Sequence, residues 1–170
     1  MRLFLALVPP PGLRERLGEL ADAAQARCGG RRMPDESLHL TLAFLGEVKE
    51  AKAGELVDWV NGLATAPGRW RLDRWGHFRR PGIVWVGSTT ASPDLQALHR
   101  RLWDDLETLG QQGRPAHFVP HVTLLRRAAR LDSETLPAVH LEWAYHRVEL
   151  IHSIVDRHGA RYASLARSAG

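Results

Sequence analysis

The chain has 170 residues, of which 44% are hydrophobic and 25% charged, enough for one compact domain or two small lobes sharing a core. No apolar run approaches the length needed to cross a bilayer, and the short stretch Leu3 to Val8 runs into Pro9, Pro10 and Pro11 rather than a secretory cleavage site, so the expected compartment is the cytoplasm. The single cysteine excludes an internal disulfide, and arginine supplies nearly all of the positive charge behind a formal net of +4, Lys49 and Lys52 being the only lysines. Guanidinium groups suit an anionic partner, but charge alone fits a solvated, mixed-charge surface slightly better.

Arg2 to Val8 reads as a buried strand stopped by the proline run. Pro11 to Cys28 carries Leu13, Leu17 and Leu20 at helical spacing and ends at Gly29 and Gly30. Cys28, at the end of that helix, lacks the setting of a catalytic thiol, which needs a base and positive charge nearby. Leu38 to Val48 opens with strict alternation, the pattern of a strand with one core face. Glu50 to Ala64 is a second helix, with Leu56, Val57, Val60 and Leu63 on one side. Trp70 to Arg79 and Ile83 to Val86 read as two strands joined around Pro81-Gly82. Asp94 to Leu109 is a third helix opened by Ser92-Pro93, its stripe Leu95, Leu98, Leu102, Leu106 and Leu109. His121 to Arg126 alternates again, Trp143 to Val155 reads as one long strand, and Ala160 to Leu165 pairs back across a His158-Gly159 turn.

One short pattern occurs twice. His39-Leu-Thr-Leu returns as His121-Val-Thr-Leu, each copy early in a strand and each preceded by a helix and a proline-bearing loop. Repeated helix-plus-strand units suggest two lobes related by a pseudo-twofold axis. In a strand, residues i and i+2 share a face, so His39 projects with Thr41 and His121 with Thr123, away from the core leucines. A twofold would bring two imidazoles and two hydroxyls around one small volume. One neutral imidazole can take a proton from attacking water while a protonated one gives a proton to a departing ribose oxygen, and the hydroxyls can stabilise phosphate charge. The residues do not say which histidine plays which part. Zinc chemistry is disfavoured: no His-Glu-x-x-His or Cys-x-x-Cys occurs, and Val119-Pro120 opposes a helix between His117 and His121. Strict alternation puts Arg126 on the opposite face from His121 and places Phe44 with Leu40 and Leu42 in the core, leaving packing as the role of Phe44 and leaving Phe4 undetermined.

These motifs, with the flanks RLFLALVPP, LHLTLAFLGEV, GIVWVG, FVPHVTLLR and LIHSIVDRHGARYASL, resemble the 2H phosphoesterases, and most closely the bacterial and archaeal RNA 2′,3′-cyclic phosphodiesterases once called 2′-5′ RNA ligases. The resemblance implies an α+β fold spanning 1–170 as one domain of two pseudo-twofold-related lobes, antiparallel sheets backed by helices with the active-site groove between them. It implies His39 as proton donor to the leaving oxygen, His121 as acceptor from water, and a product bearing a 2′-phosphate. Thr41, Thr123 and Arg126 carry over as phosphate-binding residues, and Phe44 and Phe4 are candidates for stacking a base. No metal or cofactor is expected. The expected partner is RNA, or an oligonucleotide, ending in a 2′,3′-cyclic phosphate; the protein is expected to be a monomer with no membrane association. Three rivals stay open: a catalytically idle RNA-binding module, ligation through a 2′-5′ bond, and action on a small cyclic nucleotide.

Overall fold

Ten strands and three α-helices run through residues 1–170 of the computed structural model, in the order β1 (Arg2–Leu7), α1 (Pro11–Cys28), β2 (Arg31–Arg32), β3 (Leu40–Glu47), α2 (Glu50–Gly62), β4 (Gly68–Leu72), β5 (Arg74–Phe78), β6 (Ile83–Gly87), α3 (Pro93–Thr108), β7 (His121–Arg126), β8 (Leu141–Tyr145), β9 (Glu149–Asp156) and β10 (Gly159–Arg167). Single turns of 3₁₀ helix cover Asp35–Ser37 and Ser133–Thr135. Seven strands form one antiparallel path, β10-β9-β1-β3-β7-β6-β5, with β2 added beside β7, while β4 and β8 make a separate two-stranded ribbon.

The centre of the path is its narrowest point. Strands β3 and β7 pair through one residue couple, Leu40 with Val122. These are the middle residues of His39-Leu40-Thr41 and His121-Val122-Thr123, so the antiparallel joint is itself the pseudo-twofold. The helices obey the same relation. Helix α1, which precedes β3 in the chain, packs behind β7, and α3, which precedes β7, packs behind β3. The two halves are thus interlocked, and the sheets expected for two lobes run on as one.

The core lies between the helices and one face of this sheet. Leu3, Leu5, Leu7, Leu38, Leu40 and Leu42 meet Leu56, Val60, Leu95, Leu102, Trp103 and Leu106 in one buried cluster. Each such side chain, fully buried, contributes about 1.5–3 kcal/mol relative to exposure. Helix α3 starts as its sequence predicts, with Pro93 in the first turn and Ser92 Oγ accepting from Leu95 N at 3.3 Å. Cys28 is buried against Ala24, Val84 and Leu125 and serves packing. No helix is long and apolar enough to cross a membrane.

Two predicted strands are each broken in two. Trp70 to Arg79 splits at Asp73 into β4, which pairs with β8, and β5, which pairs with β6. The break is held by Asp73, whose N–H donates to Gly87 O at 2.8 Å and whose carboxylate accepts from Thr89 N at 2.6 Å. Trp143 to Val155 splits around His146–Val148 into β8 and β9. There Thr65 Oγ1 donates to His146 O and Val148 N donates to Ser168 Oγ, giving the backbone partners outside any ladder.

Candidate active site

Both histidines are fixed in the same way. His39, one residue before β3, places Nδ1 2.7 Å from Ser37 O; His121, the first residue of β7, places Nδ1 2.7 Å from Val119 O. A carbonyl oxygen only accepts, so Nδ1 carries the hydrogen in each ring and Nε2 is the basic nitrogen of the neutral form. The loops that supply these carbonyls are pinned to the crossed helices. Arg32 binds Asp22 at 2.6 Å and Gly18 O at 2.9 Å on α1, and Asp35 at 2.7 Å in the turn leading to Ser37. On the other side Phe118 stacks on His99 of α3 at 4.0 Å, and Gln96 donates to Phe118 O at 3.1 Å. Thr41 Oγ1 lies 2.8 Å from His39 Nε2, whereas no hydrogen bond joins His121 to Thr123.

The alternation argument fails beyond each motif, and for one reason. Between Leu5/Ala6 the pairing of β1 with β3 slips so that Leu42 has no partner; between Val84/Trp85 the pairing of β6 with β7 slips so that Leu124 has none. Each slip is a β-bulge that puts two successive residues on the core side. Leu42 and Ala43 are both buried in the core, as are Leu124 and Leu125. The residue that follows, Phe44 or Arg126, is returned to the side of the threonine. Phe44 is therefore not a core residue but 53% exposed, with the Arg2 guanidinium 5.1 Å from its ring centre. Arg126 is exposed and joins the motif face. The second bulge is braced just past β2, where Met33 N donates to Leu124 O at 2.9 Å.

Each imidazole rests in an aromatic triad. His39 lies 4.8 Å from Phe4 and 5.5 Å from Tyr162, and His121 lies 5.1 Å from Phe78 and 5.7 Å from Trp85, centre to centre. Phe4 is 5% exposed, so it forms the floor beneath His39 and offers no free face for stacking. Trp85 lies flat across Gly76, where any Cβ would coincide with the indole. These walls set the electrostatics. Burial pushes His39 down to about 4; the bond to Ser37 opposes the shift, and the charges of Arg126 and His121 add to it. Burial also lowers His121, the bond to Val119 again opposing and Arg126 adding. Arg126 thus lowers both rings.

Of the expected site residues, the sheet brings His39, Thr41, His121, Thr123 and Arg126 to one face, Arg126 against the expectation from alternation. Sequence reasoning missed Tyr162, Phe78 and Trp85, because strand pairing across the sheet, not spacing along it, delivers them to the rings. Two imidazoles, two hydroxyls and one unpaired guanidinium on a shared face can bind an oxyanion and move protons on either side of it. Nowhere do three His, Cys, Asp or Glu side chains gather as a metal would require.

Known proteins resemble this chain over nearly its whole length. It is 35% identical to an RNA 2′,3′-cyclic phosphodiesterase of Escherichia coli strain K12, covering 99% of this chain and 96% of that one. Its identity to the Thermus thermophilus protein of the same name is 31%, covering 98% and 89%. Among solved structures it matches E. coli LigT complexed with 3′-AMP at a TM-score of 0.85 with 30% identity, over 98% of this chain and 95% of that one. An MHV ns2 PDE domain shares the fold alone, at a TM-score of 0.57 and 15% identity over 88% of this chain and 98% of that one. The family model of the 2′-5′ RNA ligase superfamily matches residues 9–157, and with the twinned histidine strands this establishes that the chain belongs to that superfamily.

Proposed function

We propose that this chain, acting as a single two-lobed domain over 1–170, hydrolyses 2′,3′-cyclic phosphate ends of RNA to 2′-phosphomonoesters without a metal. The observation that carries this reading is the pair of Nδ1-anchored imidazoles presented on one face by twofold-related, bulged strands, with the charge of Arg126 acting on both. Its curated relatives bear the name RNA 2′,3′-cyclic phosphodiesterase, which supports the same activity here.

The bulges give the symmetric site a direction. At the third position after each threonine stands an aromatic ring in one half, Phe44, and a cation in the other, Arg126. In a cyclic phosphate the nucleoside is attached on the leaving-oxygen side of phosphorus. An exposed aromatic suits a nucleobase, which assigns the nucleoside to the His39 half and the attacking water to the His121 half. Water then adds to phosphorus as its proton passes to His121 Nε2. The P–O3′ bond breaks and His39 Nε2–H protonates O3′, leaving a 3′-hydroxyl and a 2′-phosphate. Thr41, Thr123 and Arg126 donate to the non-bridging oxygens as their charge rises. The anionic phosphate offsets Arg126 and raises the proton affinity of His39, which its surroundings otherwise hold low.

The protein is taken to act as a monomer in the cytoplasm. Intact histidines in both halves disfavour an idle RNA-binding module, and the absence of a Walker P-loop disfavours ATP-driven ligation. Small cyclic nucleotides remain the second reading, because the site grips one phosphate and one nucleoside. The test is incubation with an oligonucleotide 2′,3′-cyclic phosphate in EDTA, followed by mapping of the product end. Complete conversion to a 2′-phosphate is expected; a 3′-phosphate, or activity that returns only with added metal, would overturn the mechanism.

A further inference from the structure

Strand β3 slips against β1 a second time, just past Phe44. Leu3 pairs with Gly46 and Phe4 with Phe44, so Leu45 has no partner on β1, and β7 meets β3 only at Leu40. Leu45 turns into the core, and Gly46 follows with a φ of 71°, the left-handed glycine of a bulge. Between the two slips only Leu5 with Ala43 and Phe4 with Phe44 remain paired. The direction in which Phe44 stands therefore depends on what holds the second bulge.

The hold comes from the other half of the molecule. Gln111 Nε2 donates to Leu45 O at 3.1 Å and also lies 3.4 Å from Gln112 O. The backbone of Gln111 is fixed by the way α3 ends. Gly110, at a φ of 87°, donates its N–H to Glu107 O at 3.0 Å, and Gln111 N donates to Leu106 O at 2.8 Å, the paired closure that a left-handed glycine allows after a helix. Leu106 lies in the core, and Lys52 of α2 donates to Leu109 O, so the stem from which Gln111 reaches out is anchored on two helices. Gln111 also begins the loop that leads to Val119 O, the acceptor for His121. The converse contact crosses the twofold as well: Met33, on the way to Ser37 and His39, donates its N–H to Leu124 O at the β7 bulge. Each histidine's loop thus braces the bulged strand of the other half. One brace is backbone, which any residue but proline can supply. The other is a side chain, and it needs an N–H donor of that length.

We propose that Gln111 is a positioning residue for Phe44, and through it for the nucleobase of the substrate. The carboxamide holds Leu45 O, the bulge stays closed, and the ring of Phe44 is kept in its place beneath Arg2. This rests on the reading above, in which Phe44 takes the base in the His39 half, and it adds the residue that determines how well that ring is placed. Gln111 makes no hydrogen bond to either histidine, so its loss should weaken recognition of the base and leave proton transfer alone.

Gln111→Met keeps the length of the side chain and removes the donor. It is compared with the wild type on adenosine 2′,3′-cyclic phosphate and on methyl riboside 2′,3′-cyclic phosphate, which has no base, and the comparison is repeated in a Phe44→Ala background. KM for the adenosine compound should rise roughly three- to tenfold, the share of one hydrogen bond, with kcat unchanged. Both constants on the base-free compound should match the wild type, and the substitution should add nothing once Phe44 is gone. An equal rise on both compounds would mark a structural brace with no bearing on the base, and a full further loss in the Phe44→Ala background would mean that Gln111 acts elsewhere; either overturns the proposal. If Phe44→Ala impairs the adenosine compound alone and Gln111→Met impairs neither, the proposal fails and the reading of Phe44 stands. If Phe44→Ala matches the wild type on both compounds, that reading fails and takes the proposal with it.

Discussion

The halves around His39 and His121 use one backbone device and end in different side chains. In each, a pinned loop carbonyl fixes Nδ1, a threonine follows two residues on, and a bulge sends the next outward residue into the groove. One half then offers Phe44 under Arg2, and the other offers Arg126. On the proposed reading, the shared device makes a pair of proton carriers, and the difference orients the substrate.

The largest losses should come from the shared parts. His39→Ala and His121→Ala should each lower kcat by roughly 10²–10⁴-fold, the usual share of one general acid or base, with circular dichroism unchanged. Near-full activity in either variant would remove that histidine from the mechanism. The unlike ends should separate next. Arg126→Gln should cost about 1–3 kcal/mol of transition-state stabilisation, read chiefly in kcat. Phe44→Ala should cost about 1–3 kcal/mol of base stacking, read chiefly in KM. If both changes appeared in the same kinetic constant, the two halves would not divide nucleoside from phosphate.

The pH dependence probes what the halves share. Burial holds both rings below the ordinary imidazole value of 6.5, His39 at about 4. The neutral form of each is favoured, so kcat/KM, which reports the free enzyme, should peak on the acid side of 6.5 and fall as pH rises beyond it. Arg126→Gln removes a positive charge that lowers both rings and should move the whole profile upward in pH. Stability follows the same sign. A group depressed in the folded state takes up protons more readily when unfolded, so Tm should drop as pH falls from 6.5 towards 4, and His39→Gln should flatten that drop.

Smaller effects belong to single hydroxyls and to support. Thr41→Val and Thr123→Val should each cost less than loss of a histidine, on the order of 1–3 kcal/mol. Wild-type rates for both, measured below saturation, would put the phosphate pocket elsewhere. Gly76→Ala should lower stability by about 1–3 kcal/mol, because the new methyl occupies the place of the Trp85 ring beneath His121.

The two histidine strands, the helices before them and the twofold were legible in the sequence because hydrophobic periodicity records which face of an element is buried. The bulges were not. A bulge is a relation between two strands, and alternation within one strand cannot register it; Phe44 and Arg126 were accordingly assigned to the wrong face by spacing. The resemblance corrected Arg126 alone, by matching it to a phosphate-contacting arginine after the second motif. The breaks at Asp73 and at His146–Val148 escaped for a similar cause. Both sides of each break are apolar and β-prone, and what ends the ladder is a hydrogen bond from a residue distant in the chain, Thr89 to one and Thr65 to the other. Tyr162 meets His39 only because the terminal hairpin curls back over the sheet.

The central claim is that the phosphate lies between two unlike halves, with His39 on the leaving-oxygen side and His121 on the water side. A substrate with sulfur in place of O3′ of the cyclic phosphate tests this most directly, since a thiolate leaves without a proton. His39→Ala should recover most of its lost kcat/KM on the sulfur substrate, while His121→Ala stays as impaired as on the oxygen one. Recovery in His121→Ala instead, or in neither variant, would contradict the account.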